Sequence, residues 1–290
     1  MPTEYVIHIQ NQQNEKEKFW CFLSKPEAEY DADVFANSST YLTVPLFTGN
    51  QDNYFTVPLQ YIVSAQASSR VVGLKTKITS SNYEEADLGQ SWDFELFTDN
   101  EGPVITEGEP IDDNTQLLMR TNKYNKNEEP LNNWYNSLTF GIKTENGFMG
   151  VTWSPKADQQ YYVTPNFEFY ISTGRFSENT LADITNIAAS SATVTLKDFD
   201  GNRECTVVRT PNGEWEVHKG NLNQPTLLAK LLDAHASLIS AHAAMVTMVA
   251  QKNNPDKESM NVPRKLGLTN GLGITHKEPQ GEAAGEHLNA

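Results

Sequence analysis

The sequence predicts an all-β protein, an antiparallel β-sandwich followed by a C-terminal amphipathic α-helix and a flexible tail. Short runs rich in β-branched and aromatic residues follow one another at spacings typical of a sandwich, about 8–12 residues. The last of the 29 aromatic residues is Trp215. The chain after it, which lacks aromatic residues, is therefore expected to fold differently from the β domain. The sequence therefore divides into a β-sandwich domain (1–220), a helix (221–252) and a Gly- and Pro-containing tail (253–290).

The predicted strands are rich in Val, Ile, Thr, Tyr, Phe and Trp, and many of them alternate apolar and polar residues. They cover residues 5–10, 19–25, 54–64, 70–79, 91–98, 116–121, 137–143, 148–153, 160–164, 168–173, 192–197, 203–209 and 214–218. Asn146-Gly147, between two of these runs, predicts a hairpin. Residues 26–53 and 99–136 are expected to be long loops.

Composition and motifs exclude several classes of function. The 37 acidic and 22 basic residues give a net charge of −15, which argues against nucleic-acid binding. No apolar stretch of about 20 residues is present, so no membrane-spanning helix is expected. The P-loop, GxSxG, HExxH and dinucleotide-binding motifs are absent, and we predict no catalytic residues, no cofactor and no metal. An enzyme whose site is assembled from dispersed loops is the remaining catalytic alternative.

The N-terminus and the two cysteines bear on the compartment. Met1 is followed directly by a strand-like run without a basic and apolar signal region, so a cytoplasmic protein is expected. Cys21 and Cys205 lie in strand-like runs, which favours two buried free thiols, although a disulfide between them stays open at this stage.

The C-terminal helix is the most informative element of the sequence. Of its 26 residues (226–251), 17 are apolar, and Pro225 stands at its first turn while Pro255 follows its end. One face keeps the three-four spacing of a helix interface. Its residues are Leu228, Leu231, His235, Leu238, His242, Met245 and Val249.

Three arrangements would bury this face: packing on the protein's own β domain, self-association, or a membrane surface. The membrane surface is disfavoured because the polar side of the helix lacks the Lys and Arg expected for anionic lipid. His235 and His242 lie one heptad apart on the apolar face. One interpretation is that both are ordinary histidines with hydrogen-bond partners or partial exposure. The other is a pH-sensitive helix interface, which weakens as pH falls because burial disfavours the imidazolium form.

These observations predict a non-enzymatic protein that associates through its C-terminal helix and tail, as a homo-oligomer or in a higher-order assembly. The alternative is a lectin-like or membrane-acting protein whose loop aromatics contact glycan or lipid. The candidate aromatics are Trp134, Tyr135, Tyr161 and Tyr162. Among partners, a glycan is thus possible, whereas a membrane is not expected.

Several segments resemble the RhiA-type family of rhizosphere-expressed proteins. The similarity is clearest over residues 138–217, in 139–142 (TFGI), 150–153 (GVTW), 161–165 (YYVTP), 169–174 (FYISTG) and 181–184 (LADI). It extends more weakly to residues 4–137. The resemblance implies an all-β bacterial protein under quorum-sensing control, without a leader sequence, and it implies no activity for particular residues. The helix and the tail depart from the family pattern.

Overall fold

The computed structural model describes residues 3–30, 32–49, 51–77, 80–97, 101–222, 235 and 238–240. The chain divides into two units, residues 1–226 and residues 227–290.

The described residues of the first unit form eighteen strands and two short α-helices. The strands are β1 (Glu4–Asn11), β2 (Glu17–Leu23), β3 (Val34–Ser38), β4 (Tyr41–Val44), β5 (Asn53–Pro58), β6 (Tyr61–Ser68), β7 (Ser80–Ala86), β8 (Ser91–Glu95), β9 (Val104–Glu107), β10 (Leu117–Thr121), β11 (Tyr135–Thr144), β12 (Gly147–Trp153), β13 (Gln160–Val163), β14 (Glu168–Thr173), β15 (Thr180–Asp183), β16 (Ala192–Thr195), β17 (Glu204–Arg209) and β18 (Trp215–Lys219). The helices are α1 (Glu129–Asn132) and α2 (Ile184–Ser190), and 3₁₀ turns cover Lys126–Glu128 and Leu196–Asp198.

The strands are divided among four sheets. The largest has six strands in the order β15-β3-β12-β11-β6-β7, and all of its pairs are antiparallel. The other three sheets have four strands each, in the orders β18-β17-β1-β5, β16-β14-β2-β4 and β13-β10-β8-β9. Two pairs among these strands, β1 with β17 and β8 with β10, are parallel.

One hydrophobic core receives side chains from all four sheets. Ile7, Phe169, Phe140 and Met119 represent the four sheets in it, and all of them are fully buried. In β6 and β11 the apolar residues alternate with small polar ones, because neighbouring side chains of a strand point to opposite faces. The six-stranded sheet therefore places its apolar face in the core and a face rich in Ser, Thr, Asn and Gln on the other side.

The all-β prediction is confirmed, as are the antiparallel sheets and the hairpin at Asn146-Gly147, which joins β11 to β12. The prediction of a strand over residues 70–79 is wrong, since most of that segment is a loop between β6 and β7. The expected long loops at 26–53 and 99–136 contain the whole of β3, β4, β9 and β10 and the starts of β5 and β11. The free thiols are confirmed: Cys21 and Cys205 are both unpaired and buried, and burial raises the pKa of each.

Most of the predicted C-terminal helix, and the whole predicted tail, lie outside the described residues. Within the helix, His235 and residues 238–240 are described, and all four are helical and exposed. The exposed fraction of Leu238 is 69% and that of Ile239 is 58%.

Candidate functional site

A groove of about 480 Å³ lies on the polar face of the six-stranded sheet, a volume within the usual range for small-molecule sites. Strands at both edges and in the centre of the sheet line it, together with the β11–β12 turn. The lining residues are Asn37, Ser39, Ile62, Ser64, Gln66, Ser81, Tyr83, Lys143, Thr144, Glu145, Gly147, Phe148, Asn179 and Leu181.

Two glycines provide space for an aromatic ring at this face. Gly141 of β11 lies directly opposite Gly150 of β12. A Cβ atom on Gly141 would stand 2.5 Å from Cζ of Phe148 and 2.6 Å from Cα of Gly150. The Phe148 ring therefore lies against the backbone of the glycine pair, where a side chain on either residue would displace it.

A hydrogen-bonded pair of polar side chains lies on β6. Nε2 of Gln66 donates to Oγ of Ser64 at 3.0 Å, and that hydroxyl donates to the carbonyl of Asn82 on β7 at 2.8 Å. The Gln66 side chain is buried, yet its Oε1 has no hydrogen-bond partner among the described residues. Buried polar atoms are almost always paired. This oxygen is itself buried, so a ligand donor could reach it only after the Gln66 side chain turned towards the groove.

A second polar row crosses β11, β12 and β3. The hydroxyls of Thr139 and Thr152 lie 2.7 Å apart, and Thr152 donates to Oδ1 of Asn37 at 2.9 Å. Oδ1 of Asn37 has a second lone pair, so Asn37 can offer a ligand both its amide NH₂ and an acceptor.

An aromatic and cationic pair stands at the β7 side of the groove. The Tyr83 side chain is 48% exposed, and Nζ of Lys143 lies 3.0 Å from its hydroxyl and 4.8 Å from the ring centroid. The hydrogen bond with Tyr83 raises the pKa of Lys143, so the ammonium form is favoured. Lys143 and Glu145 are the charged residues among those that line the groove.

A second cavity of about 420 Å³ contains one of the predicted loop aromatics. Tyr162 lines it with Glu27, Glu29, Gln160 and Thr164, and its side chain is 48% exposed. Tyr161, its neighbour on β13, is fully buried in the core, and Trp134 and Tyr135 are half-buried. Of the four predicted aromatics, Tyr162 is thus the most exposed.

The predicted helix interface is described at two of its seven residues. His235 and Leu238 are helical and exposed, whereas Leu228, Leu231, His242, Met245 and Val249 lie outside the described residues. The pH-sensitive seam therefore stays a prediction.

The one histidine buried in the first unit is His8, on β1. Its Nδ1 lies 2.7 Å from Oδ1 of Asp52, and its Nε2 lies 3.8 Å from Oε2 of Glu204 without a hydrogen bond. The side chain is only 4% exposed, so a substrate could reach the imidazole only after β1 and its neighbours moved. Among the described residues, no three His, Cys, Asp or Glu side chains form a group that could hold a metal ion.

Sequence reasoning did not find the groove. Asn37 lies in a segment that was expected to be a loop, and Tyr83 lies in a segment for which no element was predicted. Ser64 was the last residue of a predicted strand, so Gln66 lay beyond its expected end. The available signal was the alternation of Ser64, Gln66 and Ser68 with buried apolar residues, which marks a polar outer face. This alternation does not show which strands lie beside β6 in the sheet.

Comparison of the chain with family models, with curated proteins and with solved structures finds no match. The resemblance to RhiA-type proteins and the cytoplasmic compartment stay predictions. No helix within the described part of the chain is long and apolar enough to cross a membrane.

Proposed function

We propose that the protein is a non-enzymatic, lectin-like binding protein that holds a carbohydrate in the groove of the six-stranded sheet. The single observation that carries this proposal is the combination, in one groove, of an exposed Tyr83 ring with the amide and hydroxyl side chains of Asn37, Ser64 and Gln66. The proposal includes a sandwich arrangement of the sheets. One face of the six-stranded sheet then packs in the core, and the other face is open to the ligand.

The chemistry of the lining fits a sugar. A carbohydrate presents many hydroxyl groups, each of which donates and accepts hydrogen bonds, and a C–H face that packs on an aromatic ring. Ser64, Gln66 and Asn37 supply neutral donors and acceptors, and Tyr83 supplies a rigid ring with a polar tip. Aromatic rings combined with short polar side chains are also the usual composition of adaptable recognition surfaces.

The charges of the groove favour a neutral ligand over an anionic one. Lys143 is offset by Glu145, which follows it in the β11–β12 turn, so the described lining residues carry no excess of positive charge. A phosphate or sulfate ligand would call for several cations or a bidentate Arg. A neutral mono- or oligosaccharide requires neither.

A glycan array tests the proposal with the full chain and the variant Gln66→Met. Methionine has a similar volume but lacks the amide, so the variant keeps the packing and loses the hydrogen bonds to ligand and to Ser64. We expect the wild type to bind one class of neutral glycan and Gln66→Met to lose most of that signal. An array on which the wild type binds no glycan, or on which both proteins give the same signal, would contradict the proposal.

A second candidate function is self-association through the C-terminal helix, and the exposure of Leu238 and Ile239 favours it. Two adjacent apolar side chains that are more than half exposed on a helix are typical of a surface that a partner covers. A second copy of the chain is the partner that the heptad spacing of the sequence predicts.

Light scattering of the full chain tests this candidate with Leu238→Asp and with Leu131→Asp as the matched control. Leu131, in α1, is 79% exposed and lies outside the helix. We expect an oligomeric wild type, an oligomeric control and a Leu238→Asp variant of lower mass. Monomeric wild type, or equal masses for both variants, would remove the candidate.

A further inference from the structure

The loop between β6 and β7 exposes two aliphatic side chains. Val71 is 64% exposed and Leu74 is 57% exposed, whereas Val72 between them is buried and fixes the loop to the protein. The two exposed aliphatic side chains lie three residues apart on the same short loop.

Hydrogen bonds hold this loop in one conformation. The hydroxyl of Thr76 donates to the carbonyl of Val71 at 2.9 Å, and its backbone N–H donates to the carbonyl of Gly73 at 3.1 Å. The N–H of Lys75 donates to the carbonyl of Leu181 on β15 at 2.8 Å. The two aliphatic side chains are therefore presented by an ordered turn, which lowers the entropy lost on binding.

The same loop is a basic region in an acidic protein. The chain has a net charge of −15, but no Asp or Glu occurs between Asp52 and Glu84. Arg70, Lys75 and Lys77 are exposed, and none of the three forms an ion pair with a described residue. The loop contacts Thr180 and Leu181, two residues away from Glu178 and Asp183 respectively. Glu178 is paired with Lys18, and Asp183 accepts hydrogen bonds from Thr185 and Asn186.

We propose that this loop docks the protein on a lipid bilayer that carries anionic headgroups. Val71 and Leu74 enter the headgroup region, and Arg70, Lys75 and Lys77 contact the anionic headgroups around them. Aliphatic side chains with cationic neighbours in the same loop match both parts of such a surface, its apolar interior and its negative potential. Nucleic acid, the other anionic partner, is a poorer match because the loop has no aromatic residue for base stacking.

The loop lies in residues 70–79, where the sequence predicted a strand. The lipid proposal does not depend on the carbohydrate proposal. The expectation that a membrane is not a partner rested on the C-terminal helix, whose polar side has few cations. The β6–β7 loop has the cations that the helix lacks.

Co-sedimentation of the full chain with vesicles tests the proposal. The vesicles are pure phosphatidylcholine, or phosphatidylcholine mixed with phosphatidylserine, at low and at high salt. We expect binding to the mixed vesicles at low salt, weak binding at high salt, and little binding to phosphatidylcholine alone. Absence of binding to the mixed vesicles at low salt, or equal binding to both kinds, would overturn the proposal.

Two loop variants and one matched control locate the contact. The variants are Val71→Ser with Leu74→Ser, and Lys75→Gln with Lys77→Gln. The control is Leu196→Ser with Lys197→Gln, which changes an equally exposed aliphatic and basic pair elsewhere on the surface. We expect each loop variant to reduce the bound fraction by roughly tenfold and the control to bind as the wild type does. Loop variants that bind as the control does would show that another surface makes the contact, and would overturn the proposal.

Discussion

At the residue scale, Glu129 is an acidic side chain that folding removes almost completely from water. It is 3% exposed, and its Oε1 accepts hydrogen bonds from the backbone N–H and from Nδ2 of Asn136, at 3.1 and 3.2 Å. Burial raises its pKa, and the hydrogen bonds from Asn136 only partly offset this effect. Folding thus favours the protonated form of Glu129 relative to the unfolded chain.

The raised pKa gives Glu129 a defined effect on stability. The folded state binds this proton more tightly than the unfolded state, so the contribution is fully present below the unfolded pKa and is lost as pH rises through the folded pKa. Gln keeps an acceptor for Asn136 and has no charge. We therefore expect Glu129→Gln to gain free energy of unfolding relative to the wild type as pH rises from about 4 towards 7.

Urea denaturation at a series of pH values measures this difference. Glu101→Gln, which removes an exposed carboxylate, is the control and should run parallel to the wild type. A difference between Glu129→Gln and the wild type that stays constant over the whole range would show that burial does not govern this carboxyl.

At the element scale, the pairing of β11 with β12 depends on glycines that face each other. A Cβ on Gly141 would collide with the backbone carbonyl of Met149 and stand 2.6 Å from Cα of Gly150. Backbone atoms cannot move aside as the end of a flexible side chain can. We expect Gly141→Ala to lower the free energy of unfolding by about 1–3 kcal/mol, the usual cost of overpacking.

Gly201→Ala is the matched control for this change, because a Cβ there would meet no atom within 4 Å. Thermal or urea denaturation of both variants distinguishes a steric cost from the general effect of replacing glycine. Equal stability of Gly141→Ala and Gly201→Ala would contradict the close approach of β11 and β12.

Sequence reasoning was accurate where a strand is long and has its own pattern. In β11, Leu138, Phe140 and Ile142 alternate with small residues, and this predicted the strand within two residues of its true ends. It failed at residues 70–79, where Val71 and Leu74 suggest a strand although they lie in an exposed turn in which Lys75 has a φ of +61°. Local preference for the β conformation does not distinguish the two cases, because tertiary contacts decide them.

The groove is harder to predict because neighbouring strands in a sheet are not neighbours in sequence. Asn37 reaches the groove because β3 pairs with β12, and Tyr83 does so because β7 pairs with β6. Each residue alone looks like an ordinary polar or aromatic surface residue. Only the strand order brings them to one site.

At the scale of the whole molecule, the shared core and the polar groove are consequences of the same alternation. All four sheets contribute apolar side chains to one core, while a smaller second cluster contains Trp20 and Phe22. On its other face the six-stranded sheet has Ser64, Gln66 and Asn37, which line the groove. The basic loop between β6 and β7 follows directly from a strand that lines this groove. The proposed carbohydrate binding, lipid docking and self-association involve different residues and can be tested separately.

The most direct test of the central claim is calorimetric titration of Tyr83→Ala and Tyr162→Ala with the glycan that the array identifies. Both tyrosines are 48% exposed, but Tyr83 lines the groove and Tyr162 lines the second cavity. We expect Tyr83→Ala to weaken binding by roughly tenfold, about 1.4 kcal/mol, and Tyr162→Ala to bind as the wild type does. Unchanged affinity of Tyr83→Ala together with weakened affinity of Tyr162→Ala would contradict the account and move the site to β13.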